Sequence, residues 1–400
     1  MKKYVIIATL LSALVTLPIG WLLGARFGWP LLEQSQLLSP LLDPVEPAIK
    51  EYPLAKFSIG ALAQYPYSSS NIEIEEILVE EDDYTSYLFS YQTMGKKMTG
   101  QVNVPSQPAP ASGFPTILML RGWAPQASYR TGVGTSPAAA VLARAGFVTI
   151  APDFFGYGSS DPEFDDAWLA RFQKPIQVIE LLKSVEAQPQ LALPATTSTT
   201  VSSATVSDTS TLSSIKLNTN SLGFWAHSNG GQIALTVLEV LQRPIPTTLW
   251  APVTAPFPYS ILYFSDEEPD EGKSMRKNLS LFETDYDVFD FSLTQHLNLL
   301  MGPIQLHQGT ADEAVPVVWS NEFVDKIKAE NIRRKSLQET ATADQLNSTQ
   351  AAENEELNPL LPEIDFTYHV YPGSDHNLRP AWDTVVQRDL QFFQEQFELD

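Results

Sequence analysis

The chain has 400 residues, of which 44% are hydrophobic and 10% aromatic, enough for a sizeable globular core with room for insertions. Its formal net charge of −22 sets up a field that repels phosphate backbones, which argues against nucleic-acid binding. It has no cysteine, so disulfides, thiolate metal sites and a cysteine nucleophile are excluded.

The first thirty residues differ in kind from the rest. Lys2 and Lys3 precede an apolar run from Tyr4 to Gly24, closed by Arg26, long enough to cross a hydrocarbon core of about 30 Å as a helix. Residues 1–30 are therefore expected to be a transmembrane anchor. A cleaved signal peptide or a buried helix are the other readings, and Leu22-Leu23-Gly24-Ala25-Arg26 makes a poor cleavage site. The two lysines favour a cytoplasmic N-terminus. The body would then be extracytoplasmic and membrane-anchored, or secreted if the segment is cleaved. Residues 31–70 are proline-rich and read as a stalk, and residues 71–400 as the main domain.

Alternating segments over 72–104 predict antiparallel strands at one sheet edge. Strand and helix then alternate. Strands are expected at 116–120, 147–150, 221–226, 247–251, 303–308 and 366–371. Helices are expected at 136–145, 169–186, 229–241, 317–330 and 381–397. That rhythm implies an α/β fold with a mostly parallel central sheet flanked by helices. Two stretches break it. Residues 194–214 are nearly all Ser, Thr, Ala and Val and read as a surface insertion near 190–215. Residues 338–358 are polar, and the stretch near 336–360 is either a solvated helix extension or a second insertion.

The sharpest signal is Phe224-Trp225-Ala226-His227-Ser228-Asn229-Gly230-Gly231, set between an apolar strand and an amphipathic helix. A serine on a tight strand-to-helix turn projects its Oγ above the strand ends, provided the residues two before and two after are small. Here these are Ala226, where glycine is usual, and Gly230. The N–H of Asn229 would be one oxyanion donor at the helix start. A serine nucleophile needs a base, and the chain has five histidines. His227 adjoins Ser228 and is poorly placed to serve it. His296 lies in a region of unclear structure, and His307 and His369 fall inside strands. His376 stands in the polar turn Tyr371-Pro372-Gly373-Ser374-Asp375-His376-Asn377 before the last helix, and is the expected base. Asp312, just past a strand end in Gly309-Thr310-Ala311-Asp312-Glu313, is the expected carboxylate, with Glu313 and Asp375 as competitors.

From about Pro115 onward the chain resembles the α/β-hydrolase superfamily, and within it prolyl-oligopeptidase-type serine peptidases and dienelactone-hydrolase-like proteins. The matching text is Ala145-Gly146-Phe147, the run from Pro152 to Ser160, Ser228-Asn229-Gly230-Gly231, the segment from Gly309 to Pro316, and Tyr371 to His376. The resemblance implies a second oxyanion donor, the N–H of Trp123, in Arg121-Gly122-Trp123. Arg121 departs from the family's usual residue, and is either a structural cation paired with an acid or faces the substrate. Residues 256–300 occupy the place of a lid. They form either a cap packed by its aromatics or a pocket with an acidic rim suited to an amine-bearing substrate. The resemblance implies a serine-type peptidase acting on a small peptide, or a carboxylesterase. A third reading is a non-catalytic, membrane-tethered binding protein. With no His-x-x-x-His and no phosphate loop, no metal or cofactor is expected.

Overall fold

The structure is a computed structural model that describes residues 51–194, 214–347 and 361–399. The anchor expected at 1–30 and most of the insertions expected near 190–215 and 336–360 lie outside these residues. Among the described residues no helix is long and apolar enough to cross a membrane.

Three antiparallel strands lead in: β1 (Glu73–Glu80), β2 (Tyr84–Thr93) and β3 (Lys96–Pro105). Short helix α1 (Ile59–Leu62) precedes them. In chain order follow β4 (Phe114–Leu120), α2 (Ser136–Arg144), β5 (Val148–Pro152), α3 (Ala167–Phe172), α4 (Lys174–Ala187) and β6 (Gln190–Ala192). Next come β7 (Ser214–His227), α5 (Asn229–Leu241), β8 (Thr247–Trp250), α6 (Tyr259–Ser265) and α7 (Lys273–Asp285). The chain ends with β9 (Ile304–Gly309), α8 (Val317–Asn347), β10 (Phe366–Tyr371) and α9 (Trp382–Gln396). The sheet order is β1-β2-β3-β5-β4-β7-β8-β9-β10, with β6 paired antiparallel to β7. From β5 to β10 along that path every pairing is parallel. The expected mostly parallel sheet is therefore present, with its antiparallel edge.

Alternation along the central strands explains the two-faced core. Leu118, Leu120 and Phe224 face one apolar cluster, while Ile117, Met119 and Trp225 face the other. The second cluster is completed by Leu142 of α2 and by Val385 and Phe393 of α9. All seven residues of β4 are buried, as a strand covered on both faces requires.

Four local features have physical causes, the first two of them departures from the sequence-based expectation. The stretch expected as a stalk contributes Leu54, Phe57, Ile59 and Leu62 to the main core, so residues 53–70 belong to the body of the domain. The helix expected over 169–186 is two helices, because Pro175 opens α4 and interrupts α3 at Gln173. α8 runs past residue 330 to Asn347, so this part of the polar stretch is a helix extension. Arg334 anchors it by donating to the carbonyls of Leu297, Leu300 and Pro362. Residues 256–300 form a cap in which some aromatics pack inward while Tyr259, Tyr263, Phe264 and Phe289 stay exposed. Phe257, Phe282 and Phe291 meet Phe172 of α3 at ring distances of 5.4, 5.8 and 4.6 Å. Its acidic residues lie outside, where Asp266 pairs with Arg276.

Glu239 of α5 is fully buried, and among the described residues neither carboxylate oxygen has a hydrogen-bond partner. Burial pushes its carboxyl well above the usual range, so it is held protonated. An acid raised in the folded state lets the unfolded state lose its proton first. Stability then falls by about 1.4 kcal/mol per pH unit above the unfolded value while the folded carboxyl stays neutral. Glu239→Gln removes that slope. Its gain in Tm over the native protein should be larger at pH 8 than at pH 5 by calorimetry, and equal gains at both would contradict the assignment.

Candidate active site

The site is built where β4, β7, β9 and β10 end. β7 stops at His227, and Ser228 makes the turn into α5 with φ 56° and ψ −122°. A positive φ at a serine is a strained conformation that surroundings must enforce. They do so through main-chain bonds. Ser228 N donates to Trp250 O at 2.9 Å, and Ser228 O accepts from Gly231 N at 2.9 Å and Val253 N at 3.0 Å. The glycines after it are needed for closeness. A Cβ on Gly230 would meet Leu120 O at 2.0 Å, and one on Gly231 would meet Pro252 Cβ at 2.5 Å. The turn thus sits directly against the end of β4. Ala226, fully buried between β4 and β8, fits where glycine was the expected residue.

Asp312 stands in the loop after β9, and its side chain is buried. Oδ1 accepts from Ala314 N at 3.0 Å and Val315 N at 2.8 Å, and Oδ2 accepts from Gln308 Nε2 at 3.0 Å. His376, in the loop after β10, brings its Nδ1 to 2.9 Å from Asp312 Oδ2. Burial alone pushes the Asp312 carboxyl up. The hydrogen bond to His376 and then that to Val315 N–H outweigh it, so the carboxyl lies below its ordinary value and is ionised. The competitors are otherwise engaged: Glu313 is exposed, and Asp375 caps the N–H groups of Asn377 and Arg379.

The His376 ring packs against that of His227, the residue before Ser228, with ring centres 4.6 Å apart. Among the described residues no hydrogen bond joins Ser228 Oγ to His376. In unliganded hydrolytic sites this contact often forms only as substrate arrives.

The loop after β4 crosses over the serine. A Cβ on Gly122 would stand 2.7 Å from Ser228 Cβ and 3.2 Å from its Oγ. The N–H of Trp123 carries no hydrogen bond among the described residues, and that of Asn229 is the first of α5, one of the donors a helix start leaves unpaired. Arg121 is shielded from solvent, and its charge acts on the buried acid Asp153, favouring the ionised carboxylate. Arg121 lies 4.0 Å from the Tyr157 ring and 4.6 Å from the Tyr129 ring, and donates to the carbonyls of Gly122 and Asp153. In a trans peptide C=O and N–H point opposite ways. By holding Gly122 O at 2.8 Å, Arg121 Nη1 sets the direction in which Trp123 N–H points.

His307 and His369 lie on β9 and β10 as expected. His307 is buried and bonded to Asp389 and Tyr371, and His369 is half-buried beside it. His296 bonds Phe289 O in the cap. Among the described residues no group of side chains could hold a metal ion.

No protein-family model and no curated relative matches the sequence. Solved structures do match. Acetyl xylan esterase 1 from Thermoanaerobacterium sp. JW/SL YS485 is similar with a TM-score of 0.54 at 14% identity, over 84% of this chain and 92% of its own. The acetyl xylan esterase from Paenibacillus sp. R4 is similar with a TM-score of 0.55 at 12% identity, over 83% of this chain and 91% of its own. At such identities the likeness speaks to the fold. With the parallel strand order and the strained serine turn between β7 and α5, it leads to one conclusion: the chain has the α/β-hydrolase fold.

Proposed function

We propose that the protein is a serine hydrolase that cleaves carboxylic esters through an acyl-enzyme. The observation that carries this reading is the ionised, buried Asp312 bonded to Nδ1 of His376, whose ring packs on that of His227, the residue before Ser228. In this scheme Ser228 Oγ attacks the ester carbonyl and His376 Nε2 takes its proton. Asp312 keeps the Nδ1–H tautomer and stabilises the imidazolium. The N–H groups of Asn229 and Trp123 receive the developing oxyanion. His376 then returns the proton to the leaving alkoxide, and water, deprotonated by His376, releases the acid.

The ester reading is supported by the two structurally similar proteins, which are named as esterases, at the level of fold alone. Ser228-Asn229-Gly230-Gly231, with its likeness to prolyl-oligopeptidase-type sequences, favours a small-substrate peptidase as a second reading. The lack of a Ser228–His376 hydrogen bond favours the third, a fold kept for binding without chemistry. A membrane anchor and an extracytoplasmic body remain part of the proposal on Lys2, Lys3 and the apolar run that follows them.

A fluorophosphonate probe, p-nitrophenyl esters of short acids and aminoacyl-p-nitroanilides separate these readings. Labelling with faster ester hydrolysis is the expected result. Faster anilide cleavage would make the protein a peptidase, and failure to label would leave a binding protein. The same assays test the loop over the serine. Gly122→Ala forces that loop away from Ser228 and should lower kcat about a hundredfold, the scale of losing one oxyanion donor. A kcat within twofold of the native value would place the oxyanion site elsewhere.

A further inference from the structure

His227 ends β7 one residue before the serine and is 9% exposed. Its Nε2 lies 2.9 Å from the main-chain carbonyl of His376. A carbonyl only accepts, so Nε2 must carry the hydrogen and the tautomer is set by that bond. The groups that face the ring are known from each side: His376 and Asp375 from the loop after β10, Asp312 from the loop after β9, and the Trp225 ring on its own strand. Burial, and then the charge on His376, pull His227 down to about 4, so at neutral pH it is an uncharged donor.

We propose that His227 is a positioning residue, whose Nε2–H tethers the main chain of His376 to the strand that carries Ser228. The proposal rests on the reading of Ser228 and His376 as nucleophile and base.

The need for such a tether follows from how His376 is otherwise held. The bond from Nδ1 to Asp312 fixes the ring against the loop after β9, to one side. The turn beneath it is pinned the same way, by Gly373 N donating to Thr310 Oγ1 at 2.8 Å. Neither bond reaches toward β7, where the nucleophile stands. The His227 bond does, and it holds the base loop by its backbone, so the imidazole stays free to take up and release its proton. An error of about 1 Å between reacting groups can cost on the order of a hundredfold in rate. A neutral donor also suits the place. A lysine or arginine with its centre as close to His376 would oppose the imidazolium that forms as Ser228 is deprotonated.

The test uses His227→Gln, His227→Asn and His227→Leu in the full chain. Glutamine can bring an amide N–H to the same carbonyl, asparagine is too short, and leucine fills the space without a donor. Readouts are kcat and KM on a p-nitrophenyl ester, the rate of fluorophosphonate labelling, and Tm. His227→Gln should stay within about threefold of the native kcat, while the Asn and Leu variants fall about ten- to a hundredfold in kcat with KM within twofold. Labelling rates should fall in step with kcat. Equal kcat for the Gln and Asn variants overturns the proposal, because the tether would then have no effect beyond packing. If the native protein does not label at all, the hydrolase reading fails. If it labels, and the Asn variant labels as fast as the Gln variant, only the tether fails.

Discussion

Ser228→Ala is expected to abolish fluorophosphonate labelling and to lower kcat for ester hydrolysis about a million-fold, the scale seen when a serine nucleophile is removed. The structure makes this a clean experiment. Among the described residues no hydrogen bond uses Ser228 Oγ, and the main-chain bonds that enforce the strained turn come from Trp250, Gly231 and Val253. Alanine at φ 56° is strained about as serine is, so the fold and the oxyanion donors stay in place and Tm should barely change. Residual hydrolysis a thousandfold or so above the water rate is then still expected, from the oxyanion site and substrate binding alone. An alanine variant that still labels would move the nucleophile to another residue.

How legible this was depended on whether a signal was local. Mostly apolar runs without polar alternation, such as those of β4 and β5, announce buried strands, because a strand covered on both faces buries both sides. The start of α5 was legible to the residue, since Ser228, Gly230 and Gly231 are dictated by a turn that only small side chains allow. Elements held by distant partners were not. β6 is three residues long and pairs with the start of β7 across more than twenty intervening residues, with no period to betray it. Leu54, Phe57, Ile59 and Leu62 sit among prolines and polar residues, and only the tertiary packing shows that they are core.

The same division runs through the site. Ser228, Asp312 and His376 were placed by motif and chain order, and the structure bonds Asp312 to His376 and packs the His376 ring on that of His227. Arg121 was left between an acid and a substrate as its partner, and the structure puts its charge beside buried Asp153, with hydrogen bonds to the carbonyls of Gly122 and Asp153 and the Tyr157 ring over it, a setting assembled from segments that the sequence does not show to be close. His227 was set aside because it could not serve Ser228 directly. Its partner is the backbone of His376, 149 positions away, which no spacing in the sequence reveals.

Asp312→Asn is expected to lower kcat about ten-thousandfold while leaving KM within a few-fold. All four groups that contact this carboxylate are donors: the N–H groups of Ala314 and Val315, the Gln308 amide and His376 Nδ1. An asparagine has one oxygen and one NH2 group, so whichever way it turns, its own hydrogens confront a donor. Two of those donors are main-chain N–H groups that cannot turn away. The oxygen is thus drawn to them and the NH2 is left facing Gln308 and His376. His376 then relieves the clash by carrying its hydrogen on Nε2 instead, where it can no longer accept the proton of Ser228. The variant also carries a stability signature. A carboxyl depressed in the folded state contributes stability above its unfolded value of 3.8 and loses it as pH falls through the folded value. Denaturant unfolding of the native protein should show that contribution in full at pH 6 and reduced at pH 3, and Asp312→Asn should lack this part of the pH dependence. A variant that keeps the native kcat would mean that His376 takes its orientation from contacts other than Asp312, such as the His227 bond to its main chain.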